Sequence, residues 1–170
     1  PCDATQTKIA AVKAILEQDG PVYIRFGREP MPDFTDENQE FVIGKGQIMK
    51  DGADICIIAT GHEVWESLEA AKRLELDGKS VMVVNMHTIK PLDEDLLLDL
   101  ANRFSIIYTV EEHQIIGGLG SAVAEFLSEH RPVKIVRIGI NDEFGESGRA
   151  DELMRHFKLD AEGIYSKLKT

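Results

Sequence analysis

The sequence predicts an α/β domain built on a parallel sheet, and three observations carry that expectation. Short apolar runs alternate with helical patterns from Asp54 to Ile138, the order that yields parallel strands joined by right-handed crossovers. The run Ile55-Cys56-Ile57-Ile58 is apolar at every position, as a strand covered on both faces must be. Ser105 to His130 then forms one complete strand-turn-helix unit. Its β-branched-rich run Ser105–Val110 reads as a buried strand, and Leu119, Val123, Phe126 and Leu127 recur at helical spacing. Between them lie Glu111-Glu112-His113 and the turn Gly117-Gly118-Leu119-Gly120-Ser121, at the carboxyl end of the strand, where such sheets bind ligands.

Taken in order, Asp3 and Gln6 form a capping pair ahead of an apolar stripe, Ile9, Val12, Ile15 and Leu16. This first helix is expected to stop at Asp19-Gly20-Pro21, with Val22–Phe26 following as a strand. Gly27 to Asn38 lacks periodicity and is rich in Pro, Asp and Glu, so it reads as a linker. Phe41–Ile43 and Gln47–Met49 flank Gly44-Lys45-Gly46 and suggest a hairpin. Thr60 and Glu63 have capping-box spacing before a helix whose core face is Val64, Leu68, Ala71 and Leu74. Gly78 ends it. Val81–Val84 is the next strand, and Pro91 and Asp93 introduce a short helix through Leu96, Leu97 and Leu100. Val133–Ile138 is the last strand, followed by a glycine-rich loop and two short helices, near 151–157 and 160–168.

The bulk numbers narrow the function classes. A chain of 170 residues can bury a core without staples. Its net charge of −11 argues against nucleic acid or an anionic membrane as partner, because phosphate binding needs clustered Lys and Arg. No apolar run approaches membrane-span length, and no signal peptide is visible. Cys2 and Cys56 stand in no metal or redox spacing, which points to a reducing cytoplasm. The chain opens at Pro1 and enters a helix almost at once, so it is expected to be a piece of a longer polypeptide.

Few residues offer chemistry. Glu111, Glu112 and His113 could act as a general acid/base set, or form a solvated strand end or subunit contact. Gly118 and Gly120 fit a dinucleotide pattern, but Val123 occupies the place of the third glycine, which favours turn geometry. Thr60-Gly61-His62 opens a helix that could accept an anion, though simple capping is the plainer reading. His62, His87, His130 and His156 share no ligand spacing, so no metal site is expected. Arg25 and Arg28 end a strand-like run, where a guanidinium suits a phosphate or carboxylate as well as a neighbouring acid.

Together these residues resemble the carboxyl-terminal part of a transketolase, in particular the separately encoded section of split transketolases. The likeness covers essentially the whole chain. It rests on Gly20–Arg28, Asp54–Gly61, Lys90–Asp93, Glu111–His113 with Gly117–Val123, and the ending Gly139–Gly148. The 1-deoxyxylulose-5-phosphate synthases and the beta subunits of 2-oxo-acid dehydrogenases share much of the pattern. Glu111-Glu112-His113 and Phe144-Gly145-x-Ser147-Gly148 favour transketolase.

The resemblance implies a three-layer sandwich with a mostly parallel five-stranded sheet and one antiparallel strand. It implies that residues 1–30 are the tail of a pyrimidine-binding domain, 31–40 a linker and 41–170 the family's carboxyl-terminal domain. The implied activity is two-carbon ketol transfer between sugar phosphates. Thiamine diphosphate and a divalent metal would be bound by domains outside this chain, so catalytic, cofactor-binding and metal-binding residues are expected to be none here. Arg28 matches a family arginine that binds the sugar's phosphate. Glu111, Glu112 and His113 fall where a scaffold or subunit-interface role is expected. The implied partners are an amino-terminal section, the pyrimidine-binding domain and a second copy of the chain. A stand-alone interaction or regulatory domain is the alternative.

Overall fold

The computed structural model describes residues 1–169. Five strands form one sheet in the order β1-β3-β2-β4-β5. The central strands β2 (Ile55–Ala59) and β3 (Val81–Asn85) are buried at every position, which accounts for their unbroken apolar sequences. β2 runs parallel to β3 and to β4 (Ile106–Gln114), and β4 runs parallel to β5 (Lys134–Ile140). Only β1 (Gln47–Lys50) is antiparallel, on β3.

Two apolar clusters lie on opposite faces of this sheet. On one face α2 (Glu63–Leu76) packs Val64, Ala71 and Leu74 against Ile57, Val83 and Val110, joined by Ile164 and Leu168 of α6 (Ala161–Leu168). On the other, Leu97 and Leu100 of α3 (Glu94–Arg103) meet Val123 and Leu127 of α4 (Leu119–His130) over Ile58 and Val84. The result is the expected three-layer sandwich. α5 (Ala150–His156) is exposed and leads into α6. Among the described residues no helix is long and apolar enough to cross a membrane.

The amino-terminal third departs from expectation in three places. α1 (Ala4–Glu17) is capped by Asp3 as predicted, but it buries Gln6, Ala10 and Ala14, leaving Val12, Ile15 and Leu16 exposed. Polar anchoring sets this rotation. The Gln6 amide donates to Gln47 Oε1 at 2.7 Å and accepts from Asn85 Nδ2 and the Cys2 N–H, each at 3.0 Å. Val22–Phe26 forms no strand and pairs with none among the described residues; Tyr23 and Phe26 stand in solvent. The expected hairpin is also absent. Phe41 is buried and stacks on His87 with ring centroids 4.1 Å apart, so its segment leaves the sheet while Gln47–Lys50 takes the edge beside β3.

α2 brings a fourth correction. Thr60 and Glu63 form no capping box: the helix starts at Glu63, its N-cap His62 makes no side-chain cap, and the Glu63 side chain turns inward instead.

Burial under Phe41 pushes the His87 imidazole down to about 4 from 6.5, with Asp93 opposing the shift. The folded state therefore resists a proton that the unfolded chain accepts. The His87 contribution to stability should be fully present above pH 6.5 and be lost as pH falls towards 4. Urea midpoints across that range test this, and His87→Phe should flatten that part of the profile.

Candidate functional site

The strand-end site begins with the length of β4. The strand does not stop at Val110 but runs to Gln114, carrying Glu111, Glu112 and His113 within it, and its register with β5 shifts between Val110 and Gln114. Strand alternation sets Glu112 apart from Glu111, while His113 stays within 4.0 Å of the Glu111 carboxylate. Glu111 is 2% exposed and turned inward, while Glu112 and His113 are exposed.

Glu111 fills the amino terminus of α4. One carboxylate oxygen accepts the Leu119 N–H at 2.7 Å, and the other accepts the Gly120 N–H at 2.8 Å. These are among the helix-opening donors that an external phosphate would use. The glycines make the approach possible: a Cβ on Gly118 would lie 1.9 Å from Glu111 Oε2, and one on Gly120 would lie 2.6 Å from Thr109 Oγ1. Gly117, at φ +79°, turns the chain, and its N–H donates to Ser121 Oγ at 2.9 Å. The glycine cluster is thus an anion cradle occupied by the protein's own carboxylate, which answers the dinucleotide reading.

The exposed members do not converge on a reacting centre. His113 Nδ1 lies 2.8 Å from the Gln114 carbonyl oxygen and 4.0 Å from Glu111 Oε2. Arg25 reaches the Glu112 carbonyl oxygen at 3.2 Å, tying the irregular amino-terminal segment to the end of β4. Gln114 secures the neighbouring loop, accepting from the Asp142 N–H at 2.8 Å and donating to the Glu143 carbonyl at 3.2 Å. Arg28 lies apart from this cluster. Its side chain is 93% exposed and pairs with Glu29 at 2.8 Å. Among the described residues, no group of His, Cys, Asp or Glu is arranged to hold a metal ion. With the α4 cradle filled and no acidic metal cluster, the described residues do not fit a metal-bound diphosphate.

Both cysteines behave as buried thiols, their pKa values pushed up to about 12 chiefly by burial. The sequence reading missed Glu63, whose carboxyl is fully buried with no hydrogen-bond partner on either oxygen. Its place in a capping-box pattern hid it. The only signal was a helix whose first turn would have to face the sheet.

Fold and strand-end geometry define a three-layer α/β domain with one antiparallel edge strand and an internally closed glycine turn. Residues 44–164 match the family described as "Transketolase, C-terminal domain". The chain belongs to that family. It is 44% identical over 164 residues to the 6-deoxy-6-sulfo-D-fructose transketolase subunit of Clostridium sp. (strain MSTE9), covering 96% of this chain and 51% of that subunit. It is likewise 44% identical over 171 residues to a putative transketolase C-terminal section of Methanocaldococcus jannaschii, covering 99% of this chain and 53% of that protein. A 1-deoxy-D-xylulose-5-phosphate synthase of Caldanaerobacter subterraneus subsp. tengcongensis is 36% identical, with 96% of this chain matching 26% of the enzyme. Among solved structures, a split gene transketolase described as an inactive beta4 tetramer superposes with a TM-score of 0.93 at 43% identity. That match covers 99% of this chain and 55% of the other. The chain therefore spans about half the length of its split-transketolase relatives.

Glu111→Ala should strand both buried N–H groups, at a cost of about 1–3 kcal/mol for each unsatisfied donor. The urea midpoint should fall, with lost amide protection centred on Leu119 and Gly120. An unchanged midpoint would mean that water replaces the carboxylate at no cost.

Proposed function

We propose that this chain is the carboxyl-terminal region of a thiamine-diphosphate-dependent transketolase, transferring a two-carbon ketol unit between sugar phosphates. In this reading it is a scaffold and subunit interface, inactive alone. Residues 1–30 belong to the tail of a pyrimidine-binding domain, 31–40 to a linker and 41–170 to the carboxyl-terminal domain. The observation that carries the reading is the amino-terminal apolar surface. Val12, Ile15 and Leu16 on α1, with Val22, Tyr23 and Phe26 beyond it, are exposed. The last three fall in a run of strand-forming residues, yet Val22–Phe26 pairs with no strand among the described residues. A sheet on the remaining polypeptide would supply that pairing and cover the helix face.

The cofactor and its divalent metal bind elsewhere in the assembly and provide the carbanion chemistry. This chain contributes Arg28. Among the described residues its guanidinium is held by an exposed ion pair with Glu29, which yields readily to a better anion. A sugar phosphate is the proposed ligand. The sulfonated sugar in one relative's name identifies a second anion of similar shape that the same guanidinium would accept. Glu112 and His113 lie at the proposed subunit interface beside Arg25, and Glu111 supports them from within. The partners are the amino-terminal transketolase section and a second copy of the chain, and the compartment is the cytoplasm.

Mixing the chain with its cofactor-binding section should yield ketol transfer that neither gives alone. In that assembly Arg28→Ala should raise KM for the phosphorylated sugar roughly ten-fold or more, with little change in kcat, as loss of uniform binding requires. A fall in kcat at unchanged KM would remove Arg28 from the substrate-binding role.

A further inference from the structure

Glu63 opens α2, and its carboxyl is buried without a hydrogen bond on either oxygen. One turn further along the same helix, Ser67 Oγ is also buried and unpartnered. An ionised carboxylate in such a place would lack both solvent and donors, an arrangement that costs several kcal/mol unless the group stays neutral. Elsewhere, buried Asp3, Asp93 and Glu111 each accept backbone N–H bonds. Glu63 is the exception.

The surroundings identify what its charge state controls. α6 lies along α2, with the Ala161 N–H donating to Glu66 Oε2 at 2.7 Å and the Tyr165 hydroxyl to Asp77 Oδ2 at 2.8 Å. Arg73 pairs with Glu162, and Ile164 and Leu168 enter the shared core. The charges that act on Glu63 are Glu66 on its own helix, Glu112 at the end of β4, Asp160 at the α6 cap and Lys167 on α6. His62 is engaged with Glu66 at 3.2 Å. β3 brings no titratable group, and the one thiol of β2, Cys56, lies in the cluster on the opposite face. Three of the four charged neighbours are carboxylates, so ionisation of Glu63 adds repulsion to desolvation beside the α2–α6 contact.

We propose that Glu63 is a proton-operated latch for the carboxyl-terminal helix: its uncharged carboxyl lets α6 lie on α2, and ionisation releases α6. Burial, followed by Glu66 and Glu112, raises the Glu63 pKa well above its usual 4.5, while Lys167 opposes the shift. The folded chain therefore holds a proton that the unfolded chain has lost. The docked state has its full stability below pH 4.5 and loses it as pH climbs through the folded-state value.

Amide hydrogen exchange, corrected for intrinsic rates, tests the latch. Protection across Ala161–Leu168 should fall with rising pH by up to about ten-fold per pH unit, the limit for one proton, while β2 and β3 hold theirs. Glu63→Gln keeps the shape without the charge, so its α6 protection should be flat with pH. The same slope in Glu63→Gln, or no slope in the unsubstituted protein, overturns the proposal. Should the variant fail to fold, carbon-13 titration of the Glu63 carboxyl in the natural sequence decides the matter. A midpoint well above 4.5 that coincides with α6 opening supports the latch, and a midpoint in the ordinary carboxylate range sinks it.

Discussion

Buried carboxylates set against backbone N–H groups hold this fold in register. Asp3 accepts from the Gln6 N–H at the start of α1, and also from the Phe34 and Thr35 N–H groups. Asp93 caps α3 through Leu96 and, from the other oxygen, accepts the Gly46 N–H ahead of β1. Glu111 closes α4 with the Leu119 and Gly120 donors. In each case one acid satisfies the opening of a helix, where several donors lack intrahelical partners. Asp3 and Asp93 at the same time fix a segment more than thirty residues away, and Glu111 joins a strand to the helix that follows it. Much of the acidic excess of the sequence is surface charge, but these three residues are structural fasteners.

That constraint shapes function as well. The carboxyl end of a parallel sheet usually offers helix openings to a ligand's anion. Here Glu111 occupies the opening at α4, and Gly118 and Gly120 are small so that this carboxylate and Thr109 can approach. What remains at the strand end is a set of cross-links: Arg25 to the Glu112 carbonyl, and Gln114 to both sides of the Asp142–Glu143 peptide. Such fixing suits a surface that must present a constant shape to another polypeptide.

The legible part of the sequence was the part whose local pattern and tertiary environment agree. β2, β3, α3 and the Ser105–His130 unit fall close to where periodicity and capping residues put them. Arg28 was singled out by resemblance alone, and its solvent-facing pair with Glu29 carries no geometric signal. Misreadings gathered where a distant contact outweighs the local pattern. Phe41 looked like a strand residue but is drawn to His87, and α1 is turned by the Gln6–Asn85 and Gln6–Gln47 bonds rather than by its apolar stripe. Glu63 combined a familiar spacing with an environment that spacing cannot reveal.

The distribution of exposed apolar side chains argues for the proposed division of the chain. From Phe41 onward, large exposed hydrophobics are scattered singly: Val42, Ile48, Leu76, Ile89, Ile116 and Phe144. Before it, six stand within fifteen residues, from Val12 to Phe26, and the backbone of the last three has no ladder. Clustered exposed apolar residues of this kind mark a surface that another polypeptide covers, which is the role proposed for it. The later residues meet no such deficit; their sheet is covered on both faces by helices of the same chain. The asymmetry is physical: the later part of the chain completes its own core, and the earlier part exposes the apolar surface on which the proposed division rests.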